Sequence, residues 1–81
     1  MSNLADIILN ETRQIIENKA EVCPEITVES EFLVDLPMDS LDLATLIVTL
    51  ELTTGIDPFR DGFKTFHSIA ELIALYEGAA V

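Results

Sequence analysis

The chain has 81 residues, 49% of them hydrophobic, with 15 acids against four basic residues and a net charge of −11. Its length allows one domain, residues 1–81, with a thin core and no room for a large catalytic cavity. So many apolar residues argue against disorder. So much negative charge argues against binding nucleic acid or an anionic membrane surface, while it attracts basic protein surfaces.

Cys23 is the single cysteine, so neither a disulfide framework nor a zinc site is expected. The apolar run Leu43–Leu52 is shorter than the ~20 residues needed to span a bilayer. The N-terminus lacks the basic and apolar regions of a secretion signal. The expected location is the cytoplasm, and the expected state is a monomer.

Residues 3–19 place Leu4, Ile7, Ile8, Ile15 and Ile16 on one stripe and predict a first helix. Asn3 and Asp6 resemble its capping box, and Lys19 suits its last turn, where the dipole favours a cation. Pro24 marks a break, and residues 20–38 read as a long loop pinned by Ile26, Val28, Phe32, Leu33 and Leu36. Residues 26–28 have the composition of a short strand, but no second strand pattern exists to pair with it.

Residues 40–54 predict the clearest helix. Leu43, Leu46, Ile47 and Leu50 follow the spacing of a buried face, and Gly55 is a natural stop. "DPFRDG", residues 57–62, suggests a short helical turn. Residues 66–77 predict a last helix with Ile69, Leu72, Ile73 and Tyr76 inward, capped by Ser68 with Glu71. Residues 78–81 are expected to fray. The sum is an all-α fold, a small bundle of three to four helices with a long first loop.

An enzyme is poorly supported. His67 lies far along the chain from Cys23 and Ser40, and general acid–base work needs groups within hydrogen-bond reach. The acids do not follow the ligand alternation of a calcium loop, so no metal site is expected.

What remains is "PMDSLD", residues 37–42. Asp39 can cap the second helix, with Asp42 in its first turn. Ser40 then becomes the first helical residue, its hydroxyl pointing outward. A phosphate ester there would meet unsatisfied N–H groups and the positive end of the dipole. Leu41, Val48 and Leu52 fall off the buried stripe and would form an exposed apolar strip flanked by Asp42 and Glu51, a candidate docking surface. The alternative is a helix buried nearly all round.

"DLPMDSLDLATLIVTLE", Asp35 to Glu51, resembles the acyl carrier protein family. Phe32 before the motif and "KTFHSIAELIALYE" after it agree, so the resemblance covers nearly the whole chain. It implies a non-catalytic carrier with 4′-phosphopantetheine on Ser40, transferred from coenzyme A by a phosphopantetheinyl transferase with magnesium. Cargo would hang from the arm as a thioester. The implied partners are that transferase, an acyl- or aminoacyl-loading ligase, and a downstream transferase or synthase. Asp39, Leu41, Asp42, Thr45, Val48, Glu51 and Leu52 would form the face that partners read.

Pro37 departs from the glycine of many members and should stiffen the approach to Ser40. Thr45, Leu52 and Thr53 stand where acids are common in housekeeping fatty-acid carriers, and Thr54 replaces an expected aromatic. The reading is a stand-alone acyl-type carrier of a specialised pathway. One alternative is an aminoacyl carrier loaded by a separate amino acid:carrier ligase. Another is an acidic helical interaction module with no prosthetic group.

Overall fold

The structure, a computed structural model, describes residues 4–19 and 22–79. Three helices follow in order: α1, Leu4–Asn18; α2, Ser40–Thr54; and α3, Ile69–Ala79. Asn3 of the expected first cap lies outside the described residues. α1 packs against both α2 and α3, whereas no Cα of α2 comes within 8 Å of one in α3. Side chains close that gap. Leu46 and Leu50 of α2 share one apolar cluster with Ile69, Leu72 and Tyr76 of α3 and with Ile8 and Ile16 of α1.

The stripe of α1 holds, with Ile8 and Ile16 fully buried. Thr12 is also fully buried, which the apolar pattern does not reveal. Its hydroxyl donates to the Ile8 carbonyl at 2.7 Å, so the polar atom enters the core already partnered.

α2 begins and ends as its punctuation predicts. Its cap, Gly55, takes the left-handed conformation at φ 72° and donates its N–H to the Glu51 carbonyl at 2.8 Å. α3 starts at Ile69, three residues later than its apolar periodicity predicts. Ser68 is the residue that caps it: Ser68 Oγ accepts from the Glu71 N–H, and the Glu71 carboxylate accepts from Ser68 N–H. α3 runs on through Gly78 and Ala79, part of the stretch expected to fray. Ala80 and Val81 lie outside the described residues.

The long loop finds a partner that sequence does not show. An isolated antiparallel bridge joins Glu31 to Ser68. Phe32 N–H donates to the His67 carbonyl at 3.0 Å, while Ile69 and Ala70 donate to the carbonyls of Ser30 and Val28 at 3.0 and 2.7 Å. Two of the N–H groups that the start of α3 leaves without helical acceptors are thereby satisfied by the loop.

"DPFRDG" is a run of turns instead of a helix. Asp57 Oδ1 captures the Phe59 N–H at 3.1 Å, an Asx-type competitor to helix formation, and Gly62 sits at φ 137°.

Tyr76 is 0% exposed, and its hydroxyl has no hydrogen-bond partner among the described residues. Burial, with the negative charges of Asp57 and Glu51, pushes the phenol up from 10.0 to about 12. A raised pKa in the folded state means that the unfolded chain releases this proton first. Stability should therefore be intact below pH 10.0 and fall as pH rises toward about 12. Urea midpoints measured across that window should show the fall, and Tyr76→Phe should remove this component. At neutral pH the phenylalanine variant should be at least as stable as the parent, because it deletes an unsatisfied polar atom.

Candidate functional site

Ser40 is the first residue of α2 and is exposed. The residues around it are held by a reciprocal cap. Asp39 Oδ1 accepts from the Asp42 N–H at 2.9 Å, and Asp42 Oδ2 accepts from the Asp39 N–H at 3.1 Å. Replacing Asp39 by alanine should cost about 1 kcal/mol, the usual worth of such a cap, read as a lower thermal midpoint.

The approach to Ser40 is also built from small, satisfied turns. Asp35 Oδ2 accepts from the Glu31 N–H at 2.8 Å, and the Asp35 N–H returns to the Glu31 carbonyl at 2.8 Å. Met38 N–H then bonds to the Leu36 carbonyl at 2.8 Å, a tight turn centred on Pro37. Leu36 and Met38 are buried, which anchors both sides of that turn.

Lys19 stands just past the last turn of α1, not within it as the sequence suggests. Its ammonium reaches across to the Pro37 carbonyl at 2.8 Å and to Asp42 Oδ2 at 2.6 Å. This contact, helped by the Asp39 N–H and Asp39 side chain, holds the Asp42 carboxyl below the usual carboxylate range, against the opposing effect of burial. A lowered pKa places its stabilisation above pH 3.8, to be lost as pH falls through the folded value.

The expected partner face separates into two kinds of residue. Leu41, Val48 and Leu52 are 76%, 59% and 82% exposed, so α2 is not buried all round. Thr45 lies on the same strip, exposed, with its hydroxyl turned back to the Leu41 carbonyl at 3.1 Å. Asp39 and Glu51 are exposed as well. Asp42 is turned toward Lys19, with 16% of its side chain exposed.

A cleft of about 280 Å3 opens beside Ser40. Its walls are Leu43, Ala44 and Ile47 from α2 and Phe63, Thr65 and Phe66 from the segment before α3. The phenylalanines of that segment form a cluster: Phe59 and Phe63 stack at 5.2 Å, and Phe66 meets Phe32 edge-on at 5.7 Å. Sequence reasoning did not assign these rings to the site. The signal was there in "PFRDGFKTF", with Phe59, Phe63 and Phe66 at spacings of four and three in a stretch that does not form a helix.

The structure does not bring His67, Cys23 and Ser40 together as a catalytic set. His67 lines a shallow depression with Glu29, Glu31 and Glu71 at the start of α3. Cys23 is half-buried in the loop, its thiol against the Pro24 carbonyl. Among the described residues no group of three or more His, Cys, Asp or Glu is placed to hold a metal ion. Among them too, no helix is long and apolar enough to cross a membrane.

The chain that carries this serine is similar to known proteins. The family model for the phosphopantetheine attachment site matches residues 10–76. An acyl carrier protein from Clostridium perfringens (strain SM101 / Type A) is 39% identical over 70 residues, which span 82% of this chain and 92% of that protein. The chain belongs to the acyl carrier protein family. An acyl carrier protein from Chlamydia trachomatis serovar L2 is 34% identical over 65 residues, 79% of this carrier and 84% of its relative. The solution structure of MacpD, an acyl carrier protein from Pseudomonas fluorescens involved in mupirocin biosynthesis, superposes with a TM-score of 0.83. It shares 33% identity over 95% of this carrier and 70% of that chain. Carriers of this family are not catalysts, and they interact with biosynthetic enzymes.

Proposed function

We propose that this chain is a stand-alone acyl carrier in which Ser40 bears 4′-phosphopantetheine and presents thioester-linked cargo to the enzymes of a specialised pathway. The observation that carries this reading is the setting of Ser40: exposed on the first turn of α2, inside a closed capping box, at the mouth of an apolar cleft. When bound, the group supplies a thiol on a long flexible arm.

The residues present suit such a group. The first N–H groups of α2 have no helical acceptors, and the dipole there favours the negative charge of a phosphodiester. Leu43, Ala44, Ile47, Phe63 and Phe66 offer apolar walls along which an arm leaving Ser40 could lie. From Ser40 to Ile47 the helix rises about 10 Å, so the cleft can shelter part of an extended arm. The chain's own work is positioning. Asp39 and Asp42 hold the turn, and the cleft offers an apolar wall beside it.

In this reading residues 1–81 act as one carrier domain and as a monomer in the cytoplasm. A phosphopantetheinyl transferase, a loading ligase and a downstream transferase or synthase read Asp39, Leu41, Asp42, Thr45, Val48, Glu51 and Leu52. The strip Leu41–Val48–Leu52 is apolar and exposed, which suits a few dedicated partners with apolar sockets and basic rims. The likeness to MacpD, described as involved in mupirocin biosynthesis, supports a specialised pathway over general fatty-acid supply.

The test is direct. The protein is incubated with coenzyme A, magnesium and a broad-specificity phosphopantetheinyl transferase, and its intact mass is recorded. The expected result is the gain of one phosphopantetheine. No gain with several transferases would sink the reading.

A further inference from the structure

Lys19 joins the end of α1 to two points, Pro37 and Asp42, that lie 18 and 23 residues further along the chain. It stands at the end of α1, yet its ammonium bonds the Pro37 carbonyl at 2.8 Å and the Asp42 carboxylate at 2.6 Å. These acceptors bracket Ser40, three residues before it and two after it. Each is also part of the local architecture. The Pro37 carbonyl belongs to the tight turn closed by Met38 N–H and the Leu36 carbonyl. Asp42 Oδ2 closes the cap by accepting from the Asp39 N–H at 3.1 Å. One cation therefore fixes the entry turn and the first helical turn relative to each other and to α1. In a chain with 15 acids and four bases, placing one of the bases here is a specific use of a scarce charge.

We propose that Lys19 is a positioning residue for the modification of Ser40, holding residues 36–42 in the conformation that the phosphopantetheinyl transferase reads. The inference rests on the carrier reading above. Without the ammonium, the Pro37 carbonyl is released to water and the Asp42 carboxylate keeps only its bond to the Asp39 N–H, so the segment samples other arrangements. A transferase that accepts one arrangement then meets a smaller competent fraction. Its apparent affinity falls in proportion, while turnover of the bound complex is unchanged.

Charge gives a second route by which the same substitution could act, and the two differ in sign. Lys19→Met takes the net charge from −11 to −12, and Asp42→Asn takes it to −10. If the overall field governed encounter with a basic transferase, the two variants would shift KM in opposite directions. If positioning governs, both raise KM. Asp42→Asn has the smaller effect, because Lys19 keeps its bond to the Pro37 carbonyl.

The experiment measures initial rates of phosphopantetheine transfer to the parent, Lys19→Met, Lys19→Arg and Asp42→Asn. The carrier concentration is varied at a temperature well below all their melting midpoints. Lys19→Met is expected to raise KM for the carrier by about three- to tenfold, with kcat within about twofold of the parent. Lys19→Arg, which can still bridge a carbonyl and a carboxylate, is expected to return KM to within about twofold. Amide hydrogen exchange at Met38 and Asp39, whose N–H groups bond the Leu36 carbonyl and the Asp42 carboxylate, is expected to be faster in Lys19→Met in the unmodified protein. An unchanged KM, opposite KM shifts for Lys19→Met and Asp42→Asn, or unchanged exchange each overturns the proposal. A parent protein that accepts no arm at all overturns the carrier reading instead, and this inference with it.

Discussion

Ser40→Ala is expected to abolish phosphopantetheine attachment completely while leaving the fold intact. The two halves of that result have separate causes. Ser40 is exposed, and the cap of α2 belongs to Asp39 and Asp42, so no buried contact and no cap bond goes with its hydroxyl. Alanine is also the best helix former, so stability should stay within about 0.5 kcal/mol of the parent. The chemical half is all-or-none because no other hydroxyl opens α2; Thr65, which lines the same cleft, lies in the segment before α3 and not at the start of that helix. Thr45 Oγ1 donates to the Leu41 carbonyl, Thr12 is buried in the core, and Ser68 caps α3 at another part of the molecule. Intact mass after incubation with coenzyme A and transferase, set beside thermal melts of both proteins, reads the two halves. An alanine variant that still gains the arm would place the attachment elsewhere. A parent and variant that both stay unmodified, with function in the native cell preserved in the variant, would favour an interaction module.

α2 was legible to its end residues because both ends carry local punctuation, a reciprocal acid cap at Asp39–Asp42 and a glycine at position 55. α3 was legible in kind but not in its start. Phe66 continues the apolar period of Ile69, Ile73 and Tyr76, so periodicity alone extends the helix backwards, while Ser68 ends it. The pairing of the loop with residues 67–70 was invisible, since it is made by backbone groups of segments almost 40 residues apart. The same holds for Lys19. Local reasoning assigned it to the nearest helix end, whereas its partners lie 18 and 23 residues onward. The capped turn that carries Ser40 was legible because its bonds are local, and the aromatic wall beside it was not, because the wall comes from another part of the chain.

Phe32 anchors the loop that delivers Ser40, and Phe32→Ala should show it. Phe32 is 1% exposed, meets Phe66 edge-on, and donates its N–H to the His67 carbonyl. Removing a buried phenylalanine side chain costs about 3–5 kcal/mol through lost transfer energy and the cavity left behind. A domain of 81 residues has about 4–12 kcal/mol in all, at roughly 0.05–0.15 per residue. The variant should therefore unfold at a much lower urea concentration, or be partly unfolded without urea, as read by far-ultraviolet circular dichroism. Leu33→Ala and Val34→Ala, at the exposed neighbours, should move the midpoint little, within about 0.5 kcal/mol. That contrast separates the ring from the loop as such. An unchanged midpoint in Phe32→Ala would mean that the loop is held by its backbone bonds to residues 67–70 alone. If the ring is what holds it, phosphopantetheine transfer to Phe32→Ala should fall in step with the folded fraction, because Pro37, Asp39 and Ser40 are presented by the same stretch of chain.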